Sequence, residues 1–185
     1  MITQEDIVEI IITSDILESA KSFNYPINKR SYMNGERHDV GAIGEIVVKT
    51  FFESCGYIVK YSEQYDYDLL VQTSSANLKI DVKTKKRTPC GLDKMLNYQS
   101  KGYEGSVQAK NLDEIRQKDV DIFTFVNYDG LKAFIVGYIS KKEFIEKAFQ
   151  IGKGKVDITN NLIMVGDNFN IYYKDLNPMK DLIEK

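Results

Sequence analysis

Residues 65 to 86, YDYDLLVQTSSANLKIDVKTKK, hold two stretches in which apolar and polar side chains alternate on either side of a polar QTSSAN segment. A period of two is the signature of a half-buried strand. In the second stretch Leu78, Ile80, Val82 and Thr84 share one face, and Lys79, Asp81, Lys83 and Lys85 share the other. In the first, Tyr67, Leu69 and Val71 form the apolar set, opposite Asp66, Asp68, Leu70 and Gln72. Folded back as an antiparallel hairpin, the segment pairs Val71 with Leu78, Leu69 with Ile80 and Tyr67 with Val82. A slip of one residue would turn one arm inside out, so the pattern restricts its own register.

That register sets Asp68 directly opposite Asp81, with Cβ atoms about 5 Å apart, and Asp66 opposite Lys83. Two carboxylates so close repel one another. They must raise one pKa, recruit a cation or sit in solvent, and a shared divalent ion makes both charges useful. Asp66 also has a plainer reading, as a cross-strand ion pair with Lys83. Asp81-Val82-Lys83 is the only acidic-x-Lys triplet in the chain. Its weight comes from its place on an alternating strand, opposite a second aspartate and downstream of a helix that carries a third carboxylate.

That helix is predicted over residues 39 to 55, DVGAIGEIVVKTFFESC, with Asp39 as N-cap and Gly56 just past its end. Val40, Ile43, Val47, Phe51 and Cys55 form one apolar stripe, while Glu45 falls on the side of Val48 and Phe52. Glu45 is thus either a site residue or the partner of Lys49 in an i,i+4 pair. Gly41 and Gly44 each cost roughly 1 kcal/mol inside a helix relative to Ala. Something must therefore approach the backbone closely, either the sheet or a phosphate backbone.

The order of a GAIGE helix (41 to 45), a YDLLV strand (67 to 71) and an IDVK strand (80 to 83) resembles the PD-(D/E)XK nuclease superfamily. That superfamily includes restriction endonucleases, Holliday-junction resolvases and recombination nucleases. Tyr67 stands where the family name has proline, which coordinates nothing. The resemblance implies an α/β fold with a restriction-endonuclease-like core, a mixed central β-sheet flanked by helices. It also implies a Mg²⁺-dependent DNA endonuclease in which Mn²⁺ can substitute. Glu45, Asp68, Asp81 and Lys83 would be catalytic, with Asp68, Asp81, the Val82 carbonyl and Glu45 around the metal. Gln108 would approach the scissile phosphate. The rival reading is a catalytically silent DNA-binding or assembly module with the same fold.

The net charge of −2 argues against nucleic-acid binding through overall basicity, but the charge is unevenly spread. From Lys79 to Lys110 there are eight Lys and Arg against three acidic residues. Lys85, Lys86 and Arg87, leaving the strand beside the acids, are the expected phosphate contacts. The only histidine, His38, could approach DNA at the helix start or simply lie at the surface. Cys55 and Cys90 have neither metal-site nor disulfide-framework spacing. An acidic N-terminus and the lack of an 18-residue apolar run point to a cytoplasmic protein without a membrane span.

At 185 residues and 43% hydrophobic content the chain should form one domain. Residues 1–38 read as a helical extension, 39–140 as the catalytic core, and 141–185 as a helix and small hairpin. The extension is expected to be an isoleucine-rich helix over 3–20, broken near Thr13-Ser14, and a candidate interface for a homodimer. Residues 88–110 read as a long loop with a short helix near Leu92 to Asn97. DIFTFVNY and LKAFIVGYIS make a hairpin around Asp129-Gly130. Ser140 and Glu143 form a capping box for a helix to about Gln150. The segment NLIMVGDNFNIYYKDL supplies a terminal hairpin, and Pro178 starts a last short helix.

Overall fold

The computed structural model describes residues 2–23, 36–74, 76–86, 104–157, 162–164 and 166–183. In chain order its elements are strand β1 (Val8–Ile11), helices α1 (Ser14–Lys21) and α2 (Glu36–Ser54), and strands β2 (Ile58–Tyr61), β3 (Leu69–Gln72), β4 (Asn77–Lys86) and β5 (Glu104–Gln108). Helix α3 (Leu112–Gln117), strands β6 (Ile122–Tyr128) and β7 (Lys132–Ser140) and helix α4 (Lys141–Lys147) follow. The last strands are β8 (Phe149–Ile151), β9 (Val156–Asp157), β10 (Leu162–Ile163) and β11 (Asn168–Tyr172).

Six strands form a mixed central sheet in the order β1-β7-β6-β4-β3-β2. The β4–β6 pair is parallel and the other four interfaces are antiparallel. This is the α/β architecture with a mixed sheet that the sequence predicts. On one face, Ala42, Ile43, Val47, Val48 and Phe52 of α2 pack in one buried cluster with Val71, Ile80, Val82 and Val126. The other face is covered differently. There Phe123, Phe125, Val136 and Ile139 meet Val107, Phe169 and Ile171 of a second sheet, β5-β11-β8, together with Phe144 of α4. With both faces covered, β6 and β7 read as nearly continuous apolar runs. Each fully buried side chain of this kind contributes roughly 1.5–3 kcal/mol.

The close approach demanded by Gly44 is to the sheet. A Cβ added there would lie 1.8 Å from Thr84 Oγ1 on β4, so only glycine lets α2 settle onto that strand. Gly56, at φ +88°, ends the helix in the left-handed region as expected. The described helix already runs from Glu36, however, so Asp39 is at least its fourth residue and lies inside it rather than at its N-cap. Acidic residues in the first turns suit the positive end of the helix dipole, which blurs the start signal.

The N-terminal segment differs most from expectation. Val8–Ile11 is an edge strand on β7, not a helix, with Val8 and Ile10 packed on the core and Glu9 ion-paired to Lys132 at 2.5 Å. Its β-branched residues favour the pleated surface. The break is where it was predicted: Thr13 caps α1, accepting from the Ile16 N–H. The segment therefore completes the sheet rather than extending beyond it.

The β6–β7 hairpin turns at Gly130, with φ +107°, and Ser140 and Glu143 form their capping box. Helix α4 ends at Lys147 rather than Gln150, because Phe149 and Ile151 alternate around Gln150 as a strand against β11. The expected terminal hairpin is replaced as well. β11 lies between β5 and β8, while β10 pairs with β9. A short 3₁₀ helix follows Pro178. Of the loop expected over 88–110, Glu104–Gln108 is strand β5. The helix near Leu92 to Asn97, Cys90 and Arg87 lie outside the described residues.

Candidate active site

The β3–β4 register is the one the alternation predicts: Leu69 opposes Ile80 and Val71 opposes Leu78. The ladder then ends. Asp68 donates its N–H to the Ile80 carbonyl at 2.8 Å, and its own carboxylate Oδ2 accepts the Val82 N–H at 2.7 Å. The Asp68 side chain thus takes the place of a backbone acceptor just where β3 departs from β4. Its main-chain carbonyl is held by the Ser62 N–H at 2.8 Å. Tyr67, expected opposite Val82, instead turns into the core on the other side of the sheet. Because N–H and C=O of one strand residue point to the same side, Val82 also presents its carbonyl toward Asp68.

Asp81, 2% exposed, is bound by two lysines. Lys83 donates to Oδ1, and Lys118 donates to Oδ2 at 3.2 Å. Burial opposes its ionisation most strongly. The charges of Lys83 and Lys118, with the hydrogen bond from Lys83, outweigh that and hold the carboxyl below its ordinary range. Burial likewise opposes the charge on Lys83, but Asp81, Asp68 and Glu45 outweigh it and raise the ammonium above its usual value. Asp68, Asp81 and Lys83 therefore form one charged cluster at the mouth of the hairpin.

Glu45 is buried on α2, and its charge acts on both Lys83 and Tyr61. Its alternative partner is engaged elsewhere, since Lys49 pairs with Glu53. Among the described residues no three of His, Cys, Asp and Glu converge closely enough to hold a metal ion. Glu45 thus joins the field of the cluster without closing a three-carboxylate cage. Asp66 does not pair with Lys83; its carboxylate accepts the Asp119 N–H at 3.2 Å. The donors facing the mouth, two carboxylates and a carbonyl, are hard oxygen ligands of the kind that suit Mg²⁺.

The expected phosphate contacts separate. Lys85 is bound to the buried Glu104, donating to its carbonyl at 2.8 Å and its carboxylate at 3.0 Å. It joins two sheets, with its charge shared with Glu104 rather than standing open. Lys79 pairs with Asp119 at 2.6 Å, so its charge is balanced within the protein. Lys86 is exposed at the end of β4. Gln108 is exposed at the end of β5, where its amide would lie 2.7 Å from a Cβ placed on Gly166.

Sequence reasoning missed Lys118. It follows α3 and reaches Asp81 because β6 runs parallel to β4, a non-local pairing that no periodicity near residue 118 announces.

No family model matches the sequence, and no curated protein matches it. Among solved structures the chain is similar to Hjc of Archaeoglobus fulgidus, a Holliday junction resolvase from an archaeal hyperthermophile. The identity is 12%, with 78% of this chain and 96% of that chain covered at a TM-score of 0.45. Among the described residues no helix is long and apolar enough to cross a membrane.

Proposed function

We propose that this chain is a metal-dependent DNA endonuclease of the PD-(D/E)XK type. The observation that carries this reading is the 2.7 Å bond from the Val82 N–H to the Asp68 carboxylate, which fixes Asp68 beside Asp81 with Lys83 two residues along the same strand. Asp68, Asp81 and the Val82 carbonyl would hold Mg²⁺, or Mn²⁺ in its place, with Glu45 contributing through water. When bound, such an ion polarises the phosphate and lowers the pKa of a water molecule.

The chain's own residues supply the rest. Asp68 is oriented by a backbone donor, so its carboxylate needs no reorganisation to face the site. Lys83 is tethered to Asp81 and lies where an ammonium can orient the attacking water and neutralise charge developing on the phosphate. No covalent intermediate is required. Cleaving both strands needs two such sites, so we place the active form as a homodimer. Sedimentation with and without DNA tests that assignment.

Incubation with linear duplex, single-stranded, flap and four-way-junction DNA in Mg²⁺ or Mn²⁺, resolved on denaturing gels, tests the activity. Cleavage by the wild type and none by Asp81→Asn supports the reading. Retention of DNA without cleavage of any substrate would instead identify a catalytically silent binding module.

A further inference from the structure

We propose that Lys118 is a built-in counter-ion: it occupies Asp81 until a divalent ion displaces it, and it then turns to the DNA phosphate. The inference rests on the nuclease reading and assigns a role to a residue which that reading leaves idle. Both oxygens of the Asp81 carboxylate are taken, Oδ1 by Lys83 and Oδ2 by Lys118. Each oxygen keeps a second lone pair, but an ion bound there faces the repulsion of two ammonium groups, which the release of one lysine relieves.

Geometry selects Lys118 as the one released. Lys83 is rooted two residues from Asp81 on the same strand face, and the charges of Asp81, Asp68 and Glu45 all act on it. Lys118 comes from an extended residue just past α3 and holds Asp81 at 3.2 Å. Its backbone is anchored, since its carbonyl accepts from Lys141 Nζ at 2.7 Å and its N–H donates to the Ile115 carbonyl at 3.3 Å. Only the side chain is left to swing. Its Nζ lies 5.8 Å from the centre of the Tyr65 ring, so an aromatic that is 63% exposed adjoins the ammonium where it is bound.

Charge gives the exchange its purpose. Asp68, Asp81 and Glu45 outnumber Lys83 and Lys118 by one, so the ion-free cluster is net negative and repels a phosphodiester. A divalent ion reverses the sign, and a lysine freed at that moment adds a donor on the side from which DNA arrives.

Calorimetric Mn²⁺ titration of the wild type, Lys118→Met, Lys118→Gln and Lys118→Arg, with Asp81→Asn as control, reads the exchange without turnover. Lys118→Met and Lys118→Gln should bind Mn²⁺ about tenfold more tightly than the wild type, and Lys118→Arg within about threefold of it. The second readout is the salt dependence of binding to duplex and four-way-junction DNA in saturating Mn²⁺, compared between Lys83→Ala and Lys83→Ala/Lys118→Met. The double variant should lose about one from the slope of log affinity against log salt. Unchanged Mn²⁺ affinity in both neutral variants overturns the counter-ion role. Tighter Mn²⁺ binding with an unchanged slope overturns the transfer to phosphate. If the wild type binds no more Mn²⁺ than Asp81→Asn, the nuclease reading itself fails and this inference falls with it.

Discussion

Lys85 donates to both the carbonyl and the carboxylate of Glu104, at 2.8 and 3.0 Å, and so fastens the central strand β4 to the second sheet at β5. Glu104 is almost fully enclosed, whereas the Lys85 side chain keeps 28% of its surface open. Removing the lysine takes a counter-charge from an enclosed carboxylate, at a cost of about 3 kcal/mol, the low end for a buried pair because water still reaches one side. Lys85→Met should therefore lower the denaturant midpoint, while Lys86→Glu should leave it unchanged and weaken DNA binding with a flatter salt dependence. Equal stability of the two variants would remove Lys85 from the framework.

Gly44 and Thr84 define a second constraint. A methyl group at Gly44 would overlap Thr84 Oγ1, so Gly44→Ala should destabilise the fold by about 1–3 kcal/mol despite alanine's better helix propensity. Thr84→Ala removes the overlapping atom. In that background the cost of Gly44→Ala should shrink by at least about 1 kcal/mol. A double-mutant cycle by urea unfolding measures the difference, and strict additivity would contradict the contact.

Asp81 and Lys83 should separate metal binding from chemistry. Asp81→Asn should abolish Mn²⁺ binding and cleavage together, because it removes a charged oxygen ligand. Lys83→Ala should retain Mn²⁺ and DNA but lose about 10²-fold or more in single-turnover rate, since on the proposed nuclease reading its ammonium would act on the water and the developing charge. Wild-type rates in both variants would place the chemistry elsewhere.

Asp6 offers a pH-dependent test far from the cluster. Its carboxylate is held by Lys180 at 2.6 Å and by the N–H and hydroxyl of Thr3, each at 2.8 Å. The bond to Lys180, followed by those to Thr3, lowers its pKa from 3.8 to about 2. A depressed folded-state pKa contributes stability that is complete above 3.8 and is lost as the pH falls through about 2. Asp6→Asn should thus be less stable than the wild type at pH 7, and the gap should close below pH 4. Thermal melts across that range decide it; a gap that persists at pH 2 would assign the loss to packing.

The hairpin and its register were legible because alternation fixes which side chains face the core, and Leu69, Val71, Leu78 and Ile80 leave one solution. Asp68 and Asp81 followed from that register. Val8–Ile11 reads as helix from sequence because the short apolar runs on either side of Glu9, Ile7-Val8 and Ile10-Ile11-Ile12, are too brief for a period that tells strand from helix. Lys85 reads as an open cation because Glu104 lies across a long connection, and local sequence cannot show which charge will be enclosed. Lys118 was invisible for a related reason. Its approach to Asp81 depends on the parallel alignment of β4 with β6, which is a property of the assembled sheet.

The bond between Asp68 and the Val82 N–H also decouples the chemistry from the far end of the hairpin. The turn there is closed on itself, Thr73 accepting from and donating to Ala76 at 3.0 and 2.9 Å. Spacing at the mouth is instead gauged by the strand step, so residues added at the tip would lengthen a spacer without moving either acid. A single residue inserted between Ile80 and Asp81 would invert the gauge, sending the lysine and the acid to the greasy side of the sheet. Tolerance to insertion should therefore run from high to nil within one short hairpin.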